Sequence, residues 1–222
     1  MLTPEIVSDV DLAAFTDALQ HHPDGVWRGR ATEPVSYPEA GNSACFEIED
    51  SSFWFAHRNA CLLALLRQFP TAGPLFDIGG GNGFVAAAIQ SVGVPVVLVE
   101  PGSDGVRGGQ ARGLRNVVHA MLNEARFRDG SLPAIGFFDV LEHIDDEQAF
   151  LREIRRCLAP GGRIYLSVRA GRWLWSDDDV QAGHFRRYTC PILREALDRA
   201  GFRPLVVSKM FFPLPLPLFL CR

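Results

Sequence analysis

A chain of 222 residues with 47% hydrophobic and 22% charged side chains is long enough to bury one sizeable core, and a single domain is expected. A formal net charge of -4 offers no bulk attraction to a polyanion, which argues against nucleic acid as a partner. Cys45, Cys61, Cys157, Cys190 and Cys221 stand singly, so neither a zinc site nor a disulfide framework is indicated, and a reducing cytoplasm fits best.

The chain opens MLTPEIVSDVDLAAF, which is acidic and broken by Pro4, unlike a secretory signal. No apolar run is long enough to span a bilayer as a helix. Residues 1–50 are expected to form an N-terminal helix and an irregular lid, with 21–48 rich in Pro, Gly and His. Ser51 or Ser52 then caps a helix in which Trp54, Cys61, Leu62, Leu65, Leu66 and Phe69 recur at helical spacing up to Pro70.

From Leu75 onward, short β-rich runs alternate with helical patterns. The predicted strands are LFDIG (75–79), VVLVE (96–100), NVVHAML (116–122), AIGFFDV (134–140), RIYLSV (163–168) and RPLVVSKMF (203–211). Most are continuous apolar runs, as strands buried on both faces should be. A helix from Asp145 to Leu158 opens with Asp145 and Gln148 at capping-box spacing and stops at Pro160-Gly161-Gly162. Another starts at Thr189, buries Ile192, Leu193, Ala196, Leu197 and Ala200, and ends at Gly201. The pattern predicts an α/β domain over 51–222, a mostly parallel sheet with helices on both faces. The C-terminal FFPLPLPLFLCR carries three alternating prolines that forbid a regular helix. It reads as a final, truncated edge strand with a kinked return, or as an arm for peripheral membrane contact.

The stretch LFDIGGGNGFVAAAI is a strand ending in a glycine-rich turn that runs straight into a helix. Missing Cβ atoms let a ligand approach bare backbone and leave the first helical amides free as donors. Such a turn at the carboxyl end of a central strand is where α/β sheets bind ligands. Gly81-Asn82-Gly83-Phe84-Val85-Ala86 also satisfies the loose dinucleotide fingerprint. Glu100, at the next strand end, suits a ribose diol in either case, so spacing alone leaves a nicotinamide cofactor open.

LFDIGGGNG, VVLVEP, FFDVLEHIDDEQAFLREIRRCLAPGGRIYLSV and GHFRRYTCPILREALDRAGF resemble, in order and spacing, the successive motifs of class I S-adenosylmethionine-dependent methyltransferases. The resemblance covers roughly residues 50–212 and implies a three-layer Rossmann-like methyltransferase fold with a seven-stranded sheet. It assigns Asp77, Gly79, Gly80, Gly81 and Gly83 to the methionine end of S-adenosylmethionine and Glu100 to its ribose hydroxyls. Phe138, Asp139 and His143 are then expected beside the sulfonium. Where many members carry an acid for the adenine amino group, this chain has Met121, so adenine is expected on Met121 and on backbone near Leu122 and Asn123. FWFAHRN resembles the helix start of one branch of the family, which implies Arg58 paired with the cofactor carboxylate and Trp54 closing the cleft.

The loop RAGRWLWSDDDVQAGHFRRYT is too long for a crossover turn and rich in groups that bind ligands. Trp173, Trp175, Arg186, Arg187 and Tyr188 are expected to bind the acceptor. The alternative is that Asp177, Asp178 and Asp179 pair with Arg186 and Arg187 to hold the loop. A hydroxyl acceptor needs a general base, and His143, followed by His184, is the expected one. No metal is indicated, because Asp145, Asp146 and Glu147 suit the acidic first turn of a helix. The fourth strand is not followed by an N-P-P-Y-type sequence, which turns the expectation away from amide nitrogen and towards a hydroxyl of a small molecule, saccharide or lipid-linked acceptor. The rival functions are a non-catalytic S-adenosylmethionine-binding module and a nicotinamide-dependent oxidoreductase.

Overall fold

The computed structural model describes residues 9–29 and 46–211. Seven strands form one sheet: β1 (Gln20–His21), β2 (Val26–Arg28), β3 (Leu75–Ile78), β4 (Val96–Glu100), β5 (Val117–His119), β6 (Leu132–Phe138) and β7 (Leu158–Ser167). Their spatial order is β1-β2-β5-β4-β3-β6-β7, with every pairing parallel except β1 with β2. The helices are α1 (Phe53–Gln68), α2 (Phe84–Ser91), α3 (Ser103–Ala111), α4 (Leu122–Ala125), α5 (Glu147–Cys157), α6 (Asp177–Gln181) and α7 (Cys190–Arg199).

The central strands are buried on both faces, and their side chains alternate between two cores. Phe76, Ile78, Val97, Val99 and Val118 pack with Leu151 and Ile154 of α5 and Leu197 of α7. Leu75, Val96, Leu98 and Val117 pack with Leu62 and Leu66 of α1 and Val85 and Ile89 of α2. The apolar runs of the sequence thus become the middle layer of three. Strand order reverses on the two sides of β3, with β4 and β5 on one flank and β6 and β7 on the other, so a crevice opens at the carboxyl end of β3.

Seven strands were expected, but two of them arise from a different part of the chain. β1 and β2 come from a segment predicted as irregular lid: Val26, Trp27 and Arg28 pair with Val117, Val118 and His119. Residues 203–211 form no strand. Pro204 lacks an amide donor and Leu205 and Val206 face solvent, so the stretch has neither a ladder nor a face to bury. The segment 212–222, read as an edge strand or membrane arm, lies outside the described residues, as do 1–8 and 30–45.

Several ends also move. β5 stops at His119 because the Met121 amide donates to the Glu124 carboxylate (2.9 Å) at the start of α4. β7 begins at Leu158 and takes in the Pro160-Gly161-Gly162 stop. α5 is capped by Asp146, whose Oδ1 accepts the Ala149 amide (2.8 Å), because Ile144 is still extended after the turn Leu141–His143. Thr189 caps α7 as expected, accepting from the Ile192 amide, although Ile192 itself is exposed.

Candidate functional site

A cavity of about 550 Å³ lies at the carboxyl ends of β3, β4 and β6, within the range of small-molecule and cofactor sites. Its floor is the turn from Ile78 to α2. Gly83 caps α2 with φ +71°, and a Cβ there would meet Leu114 Cδ1 at 2.5 Å. At Gly80 a Cβ would fall 2.6 Å from Asp77 Oδ2 and 2.5 Å from Leu98 Cδ1, so the backbone closes directly over the Asp77 carboxylate.

Asp77 is fully buried, and among the described residues neither of its carboxylate oxygens has a hydrogen-bond partner. Burial pushes its carboxyl up to about 7, against the pull of the Arg58 charge and with the push of Glu100. A buried acid left unpaired at the wall of a cavity is the kind of group that a cationic ligand satisfies. Glu100 is buried as well, and its carboxylate accepts the Gly81 amide (2.9 Å) through Oε2 and the Gly102 amide (2.7 Å) through Oε1. Burial still raises it to about 7. These bonds fix Glu100 against the glycine turn while each oxygen retains acceptor capacity for a diol.

Across the cleft, Asp139 at the tip of β6 is held at φ +56°, a conformation a side chain seldom adopts without cause. Its Oδ2 accepts from Arg58 (2.5 Å) and its Oδ1 from Ser167 (2.9 Å). Arg58, buried on α1 with its guanidinium over Phe55, therefore spans the cleft to Asp139, and its Nε has no partner among the described residues. Trp54 lines the mouth and stacks on Phe211, the rings 3.6 Å apart. Met121 and Leu122, just after β5, and Phe138, at the end of β6, give the cavity apolar wall.

Of the expected cofactor residues, Asp77, Gly79, Gly80, Gly81, Glu100, Met121, Leu122, Phe138, Asp139, Arg58 and Trp54 all line this cavity. Gly83 sits one step away and shapes the helix start. His143 and His184 join them from the far end, their rings 4.5 Å apart and nearly edge to face. The His143 imidazole is pushed down to about 4 by burial first and by the neighbouring His184 second, so it is neutral at physiological pH. Such an imidazole accepts hydrogen bonds readily but is a weak base.

His184 reaches the cavity because its loop is tied down. Its Nδ1 lies 2.8 Å from Asp179 Oδ1, and the Phe185 amide donates to the Glu142 carbonyl (2.8 Å). Burial opposes the charge on Asp179, but hydrogen bonds from Arg187, His184 and the Ser176 amide outweigh it and hold the carboxyl well below the usual range.

The residues expected to bind the acceptor are not brought to this cavity. Tyr188 is buried, its hydroxyl donating to Glu147 (2.7 Å), and it serves the core. Arg187 is taken by Asp179 (2.8 Å) and the Ala170 carbonyl (3.1 Å), which bears out the structural alternative for that pair. Arg186 bonds the Asp145 carbonyl (2.6 Å) and pairs with Glu147 (3.2 Å), not with the aspartate run. Trp175, Arg186 and Arg187 line a separate, shallower recess with Arg172, Phe185 and Ile192, and Trp173 is exposed.

Glu142 also lines the cavity, a residue that the sequence does not single out. It is fully buried, its Oε1 accepts the Arg169 amide (3.2 Å), its Oε2 has no partner among the described residues, and burial followed by the Asp139 charge pushes it up to about 8. Its place in V-L-E-H-I, just past a buried strand, is compatible with a carboxylate turned to solvent as well as with one turned into a site. Glu49, buried and paired with Arg112 (2.9 Å), is a second acidic wall residue that the sequence did not single out.

Residues 54–207 match the profile of a family described as methyltransferase domain. A probable S-adenosylmethionine-dependent methyltransferase of Mycolicibacterium smegmatis is 27% identical over 173 residues, 76% of this chain and 66% of that protein. The chain thus spans about two thirds of that relative's length. A ubiquinone biosynthesis O-methyltransferase of Xanthomonas oryzae is 27% identical over 100 residues, 42% of each chain. Among solved structures, phosphoethanolamine N-methyltransferase 2 of Haemonchus contortus, in complex with S-adenosyl-L-methionine, superposes with a TM-score of 0.64 at 21% identity, covering 87% of this chain and 50% of that one. At that identity the likeness concerns the fold.

Proposed function

This chain belongs to the S-adenosylmethionine-dependent methyltransferases of the methyltransferase domain family, and we propose that it methylates a hydroxyl oxygen of a small-molecule, saccharide or lipid-linked acceptor. The observation that carries the reading is the pair of buried carboxylates at the tips of adjacent strands, Asp77 without a partner among the described residues and Glu100 braced by the glycine turn. A ligand that presents an ammonium at one end and a vicinal diol at the other answers both.

In this arrangement Asp77 receives the α-ammonium, Glu100 the ribose hydroxyls, and Met121 and Leu122 the adenine face. Arg58 has one guanidinium nitrogen on Asp139 and its Nε unpaired among the described residues, which leaves a donor for the carboxylate of the methionine moiety. Phe138 and the Arg58–Asp139 pair then wall the reacting end. The bound sulfonium supplies an electrophilic methyl group: the acceptor oxygen forms the new C–O bond while the C–S pair returns to sulfur, leaving S-adenosylhomocysteine. The protein has mainly to align the acceptor and keep water out.

The acceptor hydroxyl is proposed to face His143, with His184 behind it. A neutral imidazole accepts the hydroxyl hydrogen bond, and because the oxygen becomes strongly acidic as it takes the methyl group, even a weak base can remove its proton. The partial match to an O-methyltransferase of Xanthomonas oryzae supports oxygen as the acceptor atom. The described cysteines Cys61, Cys157 and Cys190 are free thiols, in keeping with a cytoplasmic reaction, which we also propose.

The test is incubation of the purified protein with S-adenosylmethionine and a panel of phenols, sugars and prenylated hydroxylated rings, reading S-adenosylhomocysteine and methylated product by mass spectrometry. Turnover with at least one hydroxyl acceptor is the expected result. Turnover confined to amines would overturn the oxygen assignment, and binding of NADH in place of S-adenosylmethionine would overturn the cofactor.

A further inference from the structure

We propose that Glu142, His143 and His184 form a binding site for one first-row divalent cation at the acceptor end of the cavity, an inference that rests on the methyltransferase reading and deepens it. One potential ligand atom from each of the three side chains lies within 4.8 Å of the others. Two imidazoles and one carboxylate, with open positions towards a cavity, are the donor set that zinc, manganese, cobalt and iron accept. Around such an ion, ligand atoms stand roughly 3–3.5 Å apart, given bonds of about 2.1 Å, so closure asks each side chain to move about an ångström.

The surroundings are those of ligands rather than of a chance cluster. Oε2 of Glu142 is fully buried and has no partner among the described residues, while Oε1 is steadied by the Arg169 amide. The His184 Nδ1 is engaged by the Asp179 carboxylate (2.8 Å), which turns the opposite ring nitrogen away from Asp179. That carboxylate is itself fixed by Arg187 (2.8 Å), so the imidazole is held in one orientation, as metal-bound histidines usually are. The Phe185 amide on the Glu142 carbonyl then locks the two halves of the cluster together across 43 residues of sequence. The Arg169 side chain brings an opposing positive charge to the same wall, and the Glu142 carboxylate stands against it.

An ion held there by three protein groups keeps positions for the acceptor oxygen. It lowers the pKa of that hydroxyl, the proton leaves to water, and the oxygen then takes the methyl group as the C–S pair returns to sulfur. The imidazole lone pairs are in that case spent on the metal, and the base requirement on His143 disappears.

The experiment uses the full chain stripped with chelator. Cobalt(II) is titrated while its visible d–d absorption is followed, and stoichiometry is read by elemental analysis. S-adenosylmethionine binding is measured by calorimetry on the same metal-free sample. One tightly bound cobalt per chain is expected, weakened at least 100-fold in Glu142→Gln and His184→Ala and about 10- to 100-fold in Asp179→Asn, which acts only through His184. His57→Ala, beside Cys61 on the surface, should bind as the parent does, and thermal melts establish that each variant is folded. Failure of the parent to take up cobalt, or equal uptake by folded His184→Ala or Glu142→Gln, overturns the proposal. S-adenosylmethionine binding reports separately on the methyltransferase reading.

Discussion

The two ends of the cavity are built in different ways. The carboxylate end is drawn from one stretch of chain, Asp77 to Glu100, and is carried by adjacent buried strands and the turn between them. The histidine end joins a turn after β6 to a loop more than forty residues later, through Asp179, the Phe185 amide and the Glu142 carbonyl. A site on strand tips inherits its geometry from the core, whereas the histidine end depends on a handful of polar bonds. Binding of the cofactor and handling of the acceptor should therefore separate on mutation.

The largest separation is expected from His143→Ala. Its turnover should fall by about 10²- to 10⁴-fold, the usual worth of a group acting on the reacting proton, while S-adenosylmethionine affinity stays within about threefold. Single-turnover kinetics alongside calorimetry read both numbers, and a parallel loss of both would erase the distinction between the ends. Glu100→Ala is the converse. It removes an acceptor for the diol and the brace on the Gly81 and Gly102 amides, so S-adenosylmethionine should bind about 100-fold more weakly, at about 1.5–3 kcal/mol for each charge-assisted bond lost.

Proton linkage sharpens the contrast at the carboxylate end. Asp77 is raised from 3.8 to about 7, so the folded chain without ligand holds a proton there that the unfolded chain releases. The stability this contributes is fully present below pH 3.8 and is lost as pH rises through 7. Asp77→Asn should therefore gain on the parent between pH 5 and 8 by on the order of 2 kcal/mol, measured as the difference in urea midpoint stability at each pH. A constant difference across that window would mean that Asp77 is ionised and satisfied without ligand. Gly83→Ala strains a residue at φ +71° and drives a methyl group into Leu114, at a cost of about 1–3 kcal/mol visible as a lowered Tm. The smallest effect on turnover belongs outside the cavity: Arg186→Ala loses a half-buried ion pair with Glu147 and a bond to the Asp145 carbonyl, and turnover should change less than about twofold.

The same contrast governs what could be read from the sequence. The parallel sheet, the glycine turn and the paired acids were legible because each is a local pattern: a continuous apolar run, a cluster of residues without Cβ, an acid at a strand end. β1 and β2 were not, because Gln20–His21 and Val26–Arg28 are too short to show alternation and are strands only by pairing with each other and, for β2, with β5. Conversely, RPLVVSKMF has the composition of a strand, but composition cannot supply a neighbour with free ladder groups. Arg186, Arg187 and Tyr188 looked like ligand groups for want of visible partners, which Glu147 and Asp179 provide only in three dimensions. Glu142 lies in the V-L-E-H-I motif, yet nothing local marks which way a side chain in a one-turn helix points.

The most direct test of the account is calorimetric titration of S-adenosylmethionine into the parent protein, Glu100→Ala and His143→Ala at one pH and salt concentration. The account predicts one saturable site, weakened about 100-fold in Glu100→Ala and essentially unchanged in His143→Ala. No saturable binding by the parent, or equal affinity in the parent and Glu100→Ala, would contradict the assignment of the cofactor to the buried carboxylates.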